Sequence, residues 1–210
     1  MKNYKYLGYF SILLLPITFL AFYKTYFVQF PNFITEKIDG YIHLHTIIAS
    51  IWVFILIGQP ILIIRKKNKL HKVIGKLSYI LFPLLILSFI PLIINMFHSE
   101  HQKAIFFPIS DSILLITFYS LAIYNRKNVS KHMRFMIGTA LVFLGPIIGR
   151  IGFNILRLSH FTTQNVYYGI IYLLLISLIL YDKKNNDEYQ PYILMLILWV
   201  IHLIAFNLIF

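Results

Sequence analysis

Seven long apolar runs, joined by short polar connections, constrain this chain more than any other feature. They lie at about 7–28, 41–64, 73–97, 104–124, 133–157, 165–181 and 191–209. Each suffices to cross a hydrocarbon core about 30 Å thick at about 1.5 Å per helical residue. No connection exceeds about a dozen residues, so none holds a separate soluble domain. Backbone polar groups in lipid must be hydrogen-bonded internally, which runs of this length achieve as helices rather than barrel strands. The expectation is an all-α, polytopic transmembrane helical bundle of about seven spans, forming a single transmembrane domain over 1–210. The first run, "YLGYFSILLLPITFLAFY", is too long for a signal-peptide core and lacks a small-x-small cleavage site, so it reads as a retained span.

Composition agrees. Of 210 residues, 59% are hydrophobic and 12% charged, against about 25% charged in an ordinary soluble domain. The absence of cysteine excludes disulfides, iron–sulfur clusters and thiolate zinc sites. The net charge of +12 does not indicate nucleic-acid binding, because no soluble basic domain is present to carry it. The cations cluster instead in alternate connections. Lys2 and Lys5, "RKKNKLHK", "NRKNVSKHMR" and "DKKNN" hold thirteen of the nineteen, whereas "PNFITEKIDG", "HSEHQK" and "RLSHFTTQ" are nearly balanced. The positive-inside rule places the cation-rich side, and with it the N-terminus, in the cytoplasm, and the C-terminus outside.

Within this apolar frame a few polar groups stand out. His45, Trp52 and Gln59 are seven residues apart, which returns them to nearly one helix face, with a drift of about 20° per heptad. Polar groups in a span normally face the bundle interior. Gln59 bonding a neighbouring helix and Trp52 filling space would account for the stripe equally well. Toward the outer side lie His43, His45, His98, His101, Asp111, Arg150 and Asn154. An aspartate and an arginine inside spans are expensive unless paired, so Asp111–Arg150 reads as a buried pair with His45 within reach, or else as a structural salt bridge or a snorkelling arginine. Toward the inner side lie His71, Lys72 and Lys76, and His132 and Arg134. Cations at helix starts attract anions such as lipid phosphates. These histidines serve equally well as solvated helix caps. Gly145, Gly149 and Gly152 in "GPIIGRIG" allow a neighbouring helix to approach closely, and Pro83, Pro91 and Pro146 are expected to kink their helices.

The spacing His45–x6–Trp52–x6–Gln59–x11–His71–x3–Gly75, followed by "KHMRFMIGTAL" and Arg150, resembles a widespread family of uncharacterised bacterial multi-span membrane proteins. The resemblance covers about residues 43–150. The chain departs from the family pattern at Lys72, where arginine is usual, and at Met133, where lysine is usual. The resemblance implies a multi-pass protein of the bacterial cytoplasmic (inner) membrane, and points to His45, Gln59, His71, His132 and Arg150 without naming their chemistry.

Two functions follow as expectations. The first is a redox or electron-transfer protein. His45, Gln59, His71, His132 and Arg134 would bind a b-type haem, with His71 and His132 axial; alternatively His43, His45 and Asp111 would hold a divalent metal. Eight histidines against seven carboxylates favour it. The second is a non-enzymatic carrier, or an accessory or assembly protein, for a small molecule or lipid, with Trp52, Arg150 and Asn154 in structural or pathway roles. Membrane lipid is the expected partner, together with another membrane protein. No G-x-S-x-G elbow is present, and "HSEH" differs from H-E-x-x-H, so no catalytic residue is assigned.

Overall fold

The computed structural model describes all residues except 1–3, 5–7, 10, 34–37 and 101. Lys2, Lys5, His101 and part of the first outer connection therefore lie outside the described residues. Those described are overwhelmingly helical, with no strand among them. The helices are α1 (Leu14–Tyr23), α2 (Gly40–Ile64), α3 (Asn68–Leu87), α4 (Phe89–Phe97), α5 (Phe106–Tyr124), α6 (Val129–Arg150), α7 (His160–Lys184) and α8 (Gln190–Ile209).

Six apolar helical segments of 20 to 30 residues have the length to span a membrane: 40–64, 68–97, 102–124, 129–155, 160–184 and 190–209. The first apolar run, at about 7–28, holds a shorter apolar helical segment among the described residues, Ser11–Tyr23, about 20 Å long. A short 3-10 turn at Phe27–Gln29 follows it. Pro31 then holds Phe30 extended, with φ −65 and ψ 139, because a residue before proline is driven out of the helical region. The spans also turn large apolar side chains outward. Phe54, Ile80 and Leu173 are each 60% exposed or more, in segments too long and apolar to rest in water. The chain is a multi-pass integral membrane protein.

Helix ends follow local chemistry. Asn128 and Ser159 each accept a hydrogen bond from a backbone N–H three residues on, at 3.1 Å, and so start α6 and α7. The chain leaves α2 through Lys66 at φ 58, with the Lys66 and Lys67 N–H groups returning to the Ile63 and Leu62 carbonyls. Asn186, at φ 54, closes α7 in the same way, its neighbour Asp187 donating to the Asp182 carbonyl at 2.9 Å. The third span breaks at Ser88, between α3 and α4. Pro91 explains the position: its ring abuts the carbonyl four residues back, that of Leu87, and it has no N–H to offer. Helix continues through Pro83 and Pro146.

The helices gather into two compact units, 1–100 and 101–210. In the first, α1 and the α3–α4 span pack on α2, with Trp52 and Leu85 fully buried. In the second, α5 packs on α6, α6 on α7, α7 on α8 and α8 back on α5. Phe118, Ile171, Leu175, Met195 and Trp199 fill that four-helix core. Gly145 and Gly152 let α7 come close: a Cβ on Gly145 would sit 3.1 Å from the Tyr167 hydroxyl, and one on Gly152 2.5 Å from Thr163 Cγ2. Gly149 faces open space.

Candidate functional site

In the 101–210 unit, three polar side chains from three helices meet inside apolar spans. Asp111 lies on α5, about 8 Å of helix from its start; Tyr168 on α7, about 12 Å from its start; His202 on α8, about 10 Å from its end. All three lie toward the helix ends opposite the cation-rich stretches at 126–134 and 183–184. Tyr168 Oη is 2.7 Å from His202 Nδ1 and 3.4 Å from the His202 carbonyl oxygen. On the other side of the ring, His202 Nε2 stands 3.7 Å from Asp111 Oδ1. The imidazole is 4% exposed and the carboxyl 16%. Nε2 has no hydrogen-bond partner among the described residues, and 3.7 Å is too long for a direct bond to Asp111. Phe106 and Trp199 wall the imidazole, at ring separations of 4.9 and 5.1 Å.

The hydroxyl beside His202 permits both tautomers of the ring. If Tyr168 donates to Nδ1, the proton of a neutral imidazole sits on Nε2 and faces Asp111. If Nδ1–H donates to the Tyr168 oxygen, the hydroxyl proton turns to the His202 carbonyl. The lone pair of Nε2 then faces the carboxyl. A proton can thus pass through the ring with every partner on the Tyr168 side satisfied.

A second pair lies near the opposite ends of these helices. Arg134 Nε donates to Asp182 Oδ2 at 2.7 Å, with the two side chains 2% and 0% exposed. Arg134 Nη1 donates to the Ser130 carbonyl at 3.0 Å and also to the Ser130 hydroxyl. Its guanidinium lies 5.8 Å from the centre of the Tyr192 ring. Arg134, one of the residues expected to bind haem, is directed at Asp182. His132 Nδ1 is 2.8 Å from the Ala122 carbonyl, which accepts only, so the ring donates and ties the start of α6 to the last turn of α5.

In the 1–100 unit the heptad stripe points inward as expected. His45 Nδ1 lies 2.8 Å from Ser88 Oγ, whose hydroxyl donates to the Leu85 carbonyl at 2.6 Å. The serine proton is therefore committed, and His45 donates from Nδ1 to the helix break of the third span. Trp52 packs on Phe82 at 5.2 Å. The amide nitrogen and oxygen of Gln59 are both buried without a hydrogen-bond partner among the described residues. His71 lies in the first turn of α3.

The expected metal set divides. His43 turns to the Tyr26 hydroxyl at 2.7 Å and to the Phe33 ring, whereas His45 turns to Ser88. Residues two apart on a helix diverge by about 200°. Asp111 has His202, not Arg150, as its ionic neighbour. Arg150 Nη1 donates to the Pro146 carbonyl at 3.3 Å, and Asn154 lies in the π-helical turn Ile151–Ile155 that prolongs α6. Among the described residues, no three His, Asp or Glu side chains converge as a metal ion requires. His202, Tyr168, Asp182 and Ser88 were not singled out in the sequence. A lone histidine and an aspartate inside apolar spans were the available signal. Comparison with protein-family models, curated proteins and solved structures returns no match.

Proposed function

We propose that this chain is a non-enzymatic carrier of the bacterial cytoplasmic membrane that moves protons through the Asp111–His202–Tyr168 cluster. The supporting observation is the buried His202 Nε2, without a hydrogen-bond partner among the described residues and 3.7 Å from the Asp111 carboxyl, inside predominantly apolar spans. Ionisable groups in such places are costly and mark proton or ion paths. A proton loaded on the pair is shared between Nε2 and Oδ1 as an ion pair or as two neutral groups. Its release leaves one negative charge on the carboxylate, so the pair has a loaded and an unloaded state. The hydroxyl of Tyr168 switches the tautomer between them.

The test is proton flux into proteoliposomes carrying a luminal pH indicator, with the membrane potential clamped by potassium and valinomycin. Wild-type protein is expected to dissipate an imposed pH gradient faster than His202→Ala or Asp111→Asn, with Tyr168→Phe between them. Equal rates in wild type, variants and empty vesicles reject the carrier reading. A Soret band or stoichiometric metal in the purified protein that is lost in His71→Ala and His132→Ala would put the redox reading in its place.

A further inference from the structure

A cavity of about 320 Å³ opens in the 101–210 unit where α5 ends and α6 and α8 begin, lined by Asn125, Lys131, Phe135, Gln190, Pro191 and Leu194. Its volume is at the lower end of small-molecule sites. Its lining is ordered by depth. Asn125, Lys131 and Gln190 lie at helix ends, on the side of the cationic turns. Phe135 and Leu194 each lie four residues further along the same helices, about 6 Å deeper. A polar, cationic mouth over an apolar floor matches a phospholipid lying with its phosphate at the boundary and its first methylenes below.

Charge then selects the headgroup. Besides Lys131 in the lining, Arg126, Lys127, Lys183 and Lys184 lie in or beside the two connections at this end of the helices, against Asp187 and Glu188, since Arg134 and Asp182 neutralise each other in the interior. Lys131 meets Glu188 at 3.8 Å, with both side chains about two-fifths exposed. An ammonium has three donors, so one long contact leaves it able to take a phosphate oxygen. We infer that this cavity binds the phosphate and upper acyl chain of an anionic phospholipid from the inner leaflet. The inference is independent of proton movement, since it uses none of the residues of the His202 cluster.

Native mass spectrometry of the full chain in mild detergent, with phosphatidylglycerol and phosphatidylcholine supplied together, tests this. Phosphatidylglycerol should be retained in preference. Lys131→Gln should lower its retention about fivefold, the usual worth of one cation near a lipid surface. Glu188→Gln should raise it. Leu194→Trp, which keeps every charge but fills the apolar floor, should lower retention as well. Melting in phosphatidylcholine alone checks the fold, and Lys131→Gln carries the test if Leu194→Trp does not fold. Equal retention of the two lipids overturns the inference. So does Lys131→Gln holding phosphatidylglycerol as wild type does. Displacement of the lipid by an equal concentration of inorganic phosphate would mean a site for the free ion, and also overturns it.

Discussion

Arg134 and Asp182 have lost almost all contact with water. Their 2.7 Å bond, the Ser130 contacts and the Tyr192 ring replace the hydration each gave up. Such a pair adds little over well-packed apolar residues, but removing one member strands a buried charge. Asp182→Asn should therefore lower stability by about 3–5 kcal/mol, read as a fall in the detergent melting temperature. The double change Arg134→Met with Asp182→Leu should recover most of the loss. A double variant as unstable as Asp182→Asn would show that the pair itself, rather than its breakage, governs stability. The sequence presents Asp182 as the first residue of a solvated "DKKNN" turn. It is buried because α7 runs on to Lys184 and closes through Asn186, a difference of one helical turn that decides whether it meets water or Arg134. His202 was hidden differently. Its partners come from α5 and α7, and no spacing within one segment relates them. The stripe of His45, Trp52 and Gln59 was legible because all three share one helix, where the period alone assigns the face.

At the level of helices, the glycines of α6 separate two explanations for "GPIIGRIG". A small-residue stripe kept for flexibility would respond alike at each position; one kept for close packing would not. A methyl on Gly152 meets Thr163 at 2.5 Å, and Thr163 is buried and β-branched, with little freedom to yield. Gly152→Ala should cost about 1–3 kcal/mol, as overpacking does. A methyl on Gly149 meets nothing within 4 Å, and alanine is the better helix former, by about 0.5–1 kcal/mol. Gly149→Ala should thus leave the melting temperature unchanged or raise it. Similar losses in both variants would reject the packing account. Helix identity was readable from the apolar runs, but ends were not. The apolar count begins α7 at 165, whereas the Ser159 cap begins it at His160. Polar first turns belong to the helix yet leave no mark on an apolar average.

Across the whole molecule, charge asymmetry gives the spans a direction that their apolar faces cannot, since lipid-facing leucines and isoleucines look alike from either leaflet. Lys and Arg in short connections are held on the cytoplasmic side because moving them across is costly. The last turn of α7 carries Lys183 and Lys184, and the connection between α4 and α5 carries Lys103 with Glu100. The chain has no cysteine, so a single introduced thiol reports one position without background. A membrane-impermeant maleimide should leave Asn185→Cys unlabelled in intact cells and label it once the membrane is opened. It should label Ser99→Cys in intact cells. The reverse pattern would invert every span, and would put the His202 cluster nearer the cytoplasm and the Lys131 cavity in the outer leaflet. Labelling of both from one side would mean that one of the three segments between them, 102–124, 129–155 or 160–184, does not cross. Either result would change which leaflet supplies a lipid to Lys131 and from which side a proton first reaches Asp111.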